Sequence, residues 1–219
     1  MITIALVDDH DLVRAGVRAI LEQDPSFKVV GETGDGQEAI RMAAALKPDV
    51  MLMDVHLPGG IGGLDATETI VRDCPGIKII ILTQYENREY IRRALRIGAR
   101  GYLLKRSVAE DLKDAIRTVH AGRRYLHPSV ADELVDLVTA GRSVDDTAND
   151  YDRLTPREKQ VFTLLVEGKT SREISTYLTI SLKTAMTHRT NVMEKLNLHS
   201  RAELIHYAVR HAILPADEA

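Results

Sequence analysis

The chain has 219 residues, 44% hydrophobic and 28% charged, with a net charge of −3. That length suits one large domain or two small ones, and no apolar run approaches the roughly 18 residues a membrane span needs. The first strand-like stretch meets Asp8 and Asp9 with no basic region before it, unlike a signal peptide, and the single Cys74 allows no internal disulfide, so a reducing cytosol is expected.

The net charge hides an asymmetry. Residues 1–125 carry 18 acids and 18 bases; residues 126–152 carry seven acids and one base; residues 153–219 carry seven acids and ten bases. A small basic segment on a neutral body is a modest pointer to nucleic acid.

The first 122 residues alternate two periods. Strands are expected at Ile2–Val7, Lys28–Glu32, Val50–Val55, Lys78–Thr83 and Gly101–Leu104, with helices at Asp11–Leu21, Gly36–Leu46, Leu64–Arg72, Arg88–Ile97 and Val108–His120. Met51-Leu52-Met53 and Ile79-Ile80-Ile81 are apolar on both faces, as parallel strands covered on both sides must be. Five strand–helix units make a doubly wound α/β domain. Gly34-Asp35-Gly36-Gln37-Glu38-Ala39 resembles a dinucleotide fingerprint but follows the second strand, and an ordinary strand–helix turn explains it.

Residues 123–152 read as a linker with a short helix from His127-Pro128-Ser129 to Val138, followed by a polar, acidic stretch. From Leu154 everything is helical. Thr155-Pro156-Arg157-Glu158 and Thr170-Ser171-Arg172-Glu173 are capping boxes. Ser181 caps a third helix, Leu182–Leu196, after a tight turn at Thr179-Ile180, and a fourth runs Arg201–Ile213. The second and third form a helix-turn-helix in an all-α domain over 153–219.

In a parallel sheet, ligands bind at the carboxyl ends of strands. Here those ends carry Asp8 and Asp9, Asp54, Thr83 and Lys105. Like charges 4 Å apart repel by about 4 kcal/mol at an effective dielectric near 20, so a proton or a cation must relieve three carboxylates. Oxygen-only ligands favour a hard ion, Mg²⁺ or Mn²⁺. Asp54 is then a candidate nucleophile toward phosphorus, with Lys105 and Thr83 holding the transferred group. The alternative is that Asp8 and Asp9 only cap the following helix and Lys105 is a surface base.

Val7-Asp8-Asp9-His10, Met53-Asp54-Val55, Ile81-Leu82-Thr83 and Gly98-Ala99-Arg100-Gly101-Tyr102-Leu103-Leu104-Lys105 resemble the four motifs of response-regulator receiver domains, over residues 1–122. The resemblance implies a flavodoxin-like fold and phosphorylation of Asp54 by a sensor histidine kinase. It implies Mg²⁺ on Asp9, Asp54 and the backbone carbonyl of His56, with Asp8 helping. It makes Thr83 and Tyr102 a switch pair, although Tyr102 also reads as a plain core aromatic, and puts His56 and Tyr85 where hydrolysis of the acyl phosphate is tuned. Two departures stand out: the loop Pro58-Gly59-Gly60-Ile61-Gly62-Gly63-Leu64 is one residue longer than usual, and Gln84 replaces a small residue.

The capping boxes with Glu167-Gly168-Lys169 and Ser181-Leu182-Lys183-Thr184-Ala185-Met186-Thr187-His188-Arg189 resemble a LuxR-type helix-turn-helix, which with the receiver gives the NarL/LuxR (FixJ) arrangement. The third helix has an apolar side at Leu182, Ala185, Val192, Met193 and Leu196. Lys183, Arg189 and Lys195 are phosphate-contact candidates; Thr184, Met186, Thr187, His188 and Thr190 complete the DNA-facing set. Met186 suits either a thymine methyl or core packing. In this family the fourth helix dimerises, though core packing also accounts for its apolar residues. The expected function is a cytoplasmic, phosphorylation-controlled transcription regulator, acting on promoter DNA as a homodimer, without membrane attachment and without enzymatic turnover. Three competitors are an Asp-dependent phosphohydrolase, an unphosphorylated orphan regulator and a plain helical interaction module.

Overall fold

The structure is a computed structural model; it describes residues 1–84, 88–128, 150–211 and 213. The chain divides into two compact units, one drawn mainly from residues up to 128, the other mainly from residues from 150. Among the described residues no helix is long and apolar enough to cross a membrane.

The first unit alternates strand and helix: β1 (Ile2–Val7), α1 (Asp11–Glu22), β2 (Phe27–Thr33), α2 (Gly36–Leu46), β3 (Val50–Met53), α3 (Gly63–Asp73), β4 (Lys78–Thr83), α4 (Arg88–Arg96), β5 (Gly101–Leu104), α5 (Val108–His120) and β6 (Tyr125–Leu126). The sheet is parallel, in the order β2-β1-β3-β4-β5-β6, so the order reverses at β1/β3. Ile4, Leu6, Val50, Leu52, Ile80, Leu82 and Leu103 form one face, covered by Val17 and Leu21 of α1 and by Leu112, Ile116 and Val119 of α5. The alternate residues Ala5, Val7, Met51, Met53, Ile79, Ile81 and Tyr102 are also buried, which is why these strands read as continuous apolar runs. Asp35 caps α2 by accepting from the Glu38 N–H, so the glycine-flanked turn there is an ordinary strand–helix corner.

Two features differ from the sequence reading. β3 stops at Met53, two residues early, although the Asp54 N–H still reaches the Val7 carbonyl at 2.8 Å. The sheet also has a sixth strand inside the expected linker. Gly122, at φ +83°, turns the chain back; Tyr125 N–H then donates to Arg100 O and His127 N–H to Tyr102 O. Two residues are too few to show a period. Of the expected helix from His127-Pro128-Ser129 to Val138, only His127 and a helical Pro128 are described; of the acidic stretch Gly141–Asp152, only the end is, where Asp150–Arg153 form a 3-10 turn rather than irregular linker. The residues between lie outside the described residues.

The second unit has four helices: α6 (Pro156–Val166), α7 (Ser171–Tyr177), α8 (Leu182–Lys195) and α9 (Arg201–Arg210). Both capping boxes form, at Thr155/Glu158 and Thr170/Glu173. Ser181 and Ser200 cap α8 and α9. Thr179 takes φ +52°, closing the turn between α7 and α8. Phe162, Val161, Leu164, Ile174, Ala185, Val192, Leu204 and Ala208 make the core. Tyr151, assigned by sequence to the linker, belongs to this core: it is fully buried, meets Phe162 edge-on at 5.2 Å, and its N–H donates to the Tyr207 hydroxyl.

Candidate functional site

The carboxyl ends of β1, β3, β4 and β5 bring Asp8, Asp9, Asp54, Thr83 and Lys105 together as expected. The Lys105 ammonium lies 2.7 Å from Asp8 Oδ2 and 2.7 Å from Asp54 Oδ2. Asp8, Asp54 and Thr83 are buried. Asp9 is partly open, with its carboxylate 33% exposed. One ligand atom each from Asp8, Asp9, His10 and Asp54 lies within 4.8 Å of the others.

The helix-capping alternative for the two acids does not hold. α1 begins at Asp11 with His10 as its N-cap residue and no side-chain cap bond. Asp8 Oδ1 accepts instead from the His10 N–H, outside the helix. Arg14 reaches back from α1 to the Asp8 carbonyl and to Asp11, fixing the corner. Neither His10 nor Arg14 was singled out by sequence. For His10 the signal was available: an imidazole directly after two strand-end carboxylates.

The electrostatics follow from burial. Loss of water pushes the Asp54 carboxyl up to about 6; Lys105 pulls it down as a charge and as a hydrogen-bond donor, and Asp8 pushes it up by repulsion. Burial works to lower the Lys105 ammonium, but Asp54 and Asp8 outweigh it and hold it above its ordinary value. At neutral pH the pocket therefore holds an ionised nucleophile candidate beside a fixed cation.

His56 follows Asp54 by two residues, its N–H facing Asp54 Oδ1 at 3.5 Å. Its ring stands edge-on to Tyr90 of α4, centroids 5.4 Å apart. Burial, helped by Lys105, pushes the imidazole down to about 4, so it is neutral at physiological pH. Tyr102 is fully buried on β5, one strand over from the equally buried Thr83. Gln84 is exposed. Tyr85 lies outside the described residues.

The glycine-rich loop has a definite shape. Gly59 and Gly60 take φ +96° and +85°, where a side chain is strained. Gly63 opens α3 against the backbone of Asp54: a Cβ there would sit 1.6 Å from the Asp54 carbonyl oxygen.

In the second unit α8 buries Ala185, Val192 and Leu196 and exposes Lys183, Thr184, Met186, Thr187, Arg189 and Thr190. Thr184 is also engaged locally, its hydroxyl 2.7 Å from Ser181 Oγ. Thr187 Oγ1 donates back to the Lys183 carbonyl. His188 is half-buried, with Nδ1 enclosed. Two assignments change, those of Leu182 and Lys195, and one alternative, core packing of Met186, falls. Leu182, placed by sequence on the packed side, is 41% exposed, because at the first helical turn it lies beyond the core; Met186 is 55% exposed, so it is not core packing. With Lys183, Thr187, Thr190 and Asn191 these two line an open groove of about 480 Å³. Lys195, proposed as a phosphate contact, is committed elsewhere: its ammonium lies 2.7 Å from the buried Glu158 carboxylate. A buried acid needs a partner, and the Lys195 ammonium supplies one. On α9, Leu204 and Ala208 are buried and Ile205 and Tyr207 pack against the same core, as does Ile213 just beyond the helix, so these apolar residues are used inside the unit.

Residues 4–117 match the response regulator receiver domain, and residues 152–208 match the bacterial regulatory proteins of the luxR family. The chain is 38% identical over 213 residues to the oxygen regulatory protein NreC of Staphylococcus carnosus, covering 96% of this chain and 98% of that one. It is 38% identical over 217 residues to the response regulator UvrY of Escherichia coli K12, covering 99% and 98%. Among solved structures it resembles RcsB of Salmonella enterica serovar Typhimurium bound to the promoter rprA with a phosphomimetic, at TM-score 0.58 and 27% identity, covering 94% and 97%. With both halves matched and relatives aligned along nearly their whole length, the chain belongs to the NarL/FixJ-type two-component response regulators, transcription regulators that join a receiver domain to a LuxR-type DNA-binding domain.

Proposed function

We propose that Asp54 is the phosphoacceptor of this regulator, and that its phosphorylation by a sensor histidine kinase controls promoter binding through α8. The observation that carries this is the Lys105 ammonium bridging Asp8 and Asp54 at 2.7 Å each, at the sheet's carboxyl edge. An Asp54 carboxylate oxygen forms the P–O bond as the donor's P–N bond breaks, and the donor imidazole leaves with the electron pair. Lys105 orients Asp54 and meets the arriving negative charge; Thr83, from the neighbouring strand, supplies a hydroxyl to the acquired phosphoryl group.

The donors suit a divalent ion: carboxylates of Asp8, Asp9 and Asp54 converge, Asp9 opens to solvent, and hard oxygen ligands match Mg²⁺ or Mn²⁺. The backbone carbonyl of His56 completes the set. When bound, the ion neutralises the carboxylates and the phosphoryl oxygens.

Thr83 and Tyr102 are the switch pair, both inside the unit and on adjacent strands. His56 and Tyr85 tune the lifetime of the acyl phosphate. The chain hydrolyses that phosphate slowly and is no turnover enzyme: a phosphohydrolase of this type uses a second Asp two residues after the nucleophile as acid–base, and here that position is His56. Lys183, Thr184, Met186, Thr187, His188, Arg189 and Thr190 form the DNA face, used by a homodimer on two half-sites in the cytoplasm.

Incubation with a small phosphodonor and Mg²⁺, followed by intact mass, tests the first step. Wild type gains one phosphoryl group and Asp54→Asn none. A wild type that gains nothing, or an Asp54→Asn that still gains, overturns the assignment.

A further inference from the structure

Beside the three carboxylates the pocket holds a nitrogen. His10 Nδ1 is 2.7 Å from Asp9 Oδ1 and 3.4 Å from Asp8 Oδ1. Asp8 Oδ1 is the oxygen that Lys105 does not touch, since the ammonium binds Oδ2. Two neighbouring ligands of an octahedral ion, each about 2.1 Å from the metal, stand about 3.0 Å apart; opposite ligands stand about 4.2 Å apart. The measured separations bracket the first value, and all four ligand atoms, Asp54 included, lie within 4.8 Å of one another, slightly beyond the second. One ion can therefore touch Nδ1 and the carboxylates with small side-chain rotations. The His10 side chain is 66% exposed, so those rotations displace no packed neighbour.

We infer that His10 is a nitrogen ligand that makes this pocket a site for imidazole-seeking divalent transition ions, in competition with Mg²⁺. Resting on the metal-binding reading of the same pocket, it goes further in naming a ligand and an ion class. Three carboxylates alone already follow the general order that puts Ni²⁺ and Cu²⁺ above Mn²⁺, and an imidazole widens that preference. A neutral imidazole suits Ni²⁺, Cu²⁺ and Zn²⁺, and contributes little to Mg²⁺, which keeps oxygen ligands and water. The consequence is a receiver whose metal identity depends on the transition ions present.

The full chain is titrated with Ni²⁺ and with Mg²⁺ by calorimetry, in wild type and His10→Ala. The ratio of Ni²⁺ to Mg²⁺ affinity falls about tenfold or more in the variant, the scale on which metal sites respond to a lost supporting group. Pulsed EPR of bound Cu²⁺, competed with excess Mg²⁺, supplies the signature: imidazole nitrogen coupling that Mg²⁺ displaces in wild type is absent in His10→Ala. The chain has eight histidines, and Mg²⁺ displacement selects the one in this pocket. An unchanged affinity ratio, or Mg²⁺-displaceable nitrogen coupling that survives in His10→Ala, overturns the inference. Phosphoryl uptake by wild type with Mg²⁺ is scored separately, so the nitrogen ligand and the phosphoacceptor can fail independently.

Discussion

A carboxylate that is to attack phosphorus has to be ionised yet poorly solvated, and the surroundings of Asp54 push in both directions. Burial raises its pKa to about 6, and Lys105 keeps it from going higher. A more basic carboxylate is a better nucleophile, provided it is still ionised at working pH. Gly63 sets the other condition, position. It lies against the Asp54 carbonyl oxygen, and its N–H donates to Val55 O at 2.9 Å. Gly63→Ala forces backbone rather than a flexible side chain to move. We expect a loss of about 1–3 kcal/mol in urea denaturation, together with slower phosphoryl uptake, because the atoms displaced belong to Asp54, the proposed phosphoacceptor. An unchanged unfolding midpoint would mean that the loop yields freely. The sequence marked this loop as glycine-rich and one residue longer than usual, but which glycine carries the close approach depends on where α3 meets β3.

At the scale of elements, α6 and α8 are tied through one buried carboxylate. Burial alone would push Glu158 up, but the Lys195 ammonium and the Thr155 N–H and hydroxyl outweigh it and hold Glu158 below its ordinary range. A depressed folded pKa stabilises fully above the unfolded value, roughly 4.3 for a glutamate, and that contribution is lost as pH falls through the folded value. Lys195→Met removes a leading cause of the depression. The second unit should then begin to unfold at higher pH during acid titration, followed by hydrogen exchange of the α6 amides. A transition that stays where it was in wild type would show that Lys195 contributes only a solvated charge. The capping box at Thr155 was legible in sequence because its partners are three residues apart. The Lys195 contact, 37 residues away, was not. Tyr151 was missed for the same reason: its partners, Phe162 and Tyr207, lie on α6 and α9.

On the scale of the whole chain, a phosphate-sensitive unit is coupled to one that binds a polyanion, and the two are tested separately. Each phosphate neutralised adds about 0.9 to the slope of log affinity against log salt on duplex DNA. Lys183→Ala and Arg189→Ala should each reduce that slope by about 0.9, measured by fluorescence anisotropy on a duplex selected from random sequence. Lys195→Ala should leave the slope as it is, because that ammonium is paired with Glu158. A slope that falls equally for Lys195→Ala would return this residue to the DNA face.

What the sequence by itself determined is whatever is periodic or local. Alternating apolar runs set the parallel sheet, and the sheet's geometry then delivered Asp8, Asp54, Thr83 and Lys105 to one edge. The caps at Thr155, Thr170 and Ser181 bounded the helices of the DNA-binding unit. Only the tertiary structure decided which charges are already satisfied, which apolar residues of α8 face outward, and how closely the His10 imidazole approaches the Asp8 and Asp9 carboxylates. Those outcomes depend on separations of a few ångströms between groups on different turns and strands. Burial then magnifies them, because a charge taken out of water must find a partner within hydrogen-bonding distance.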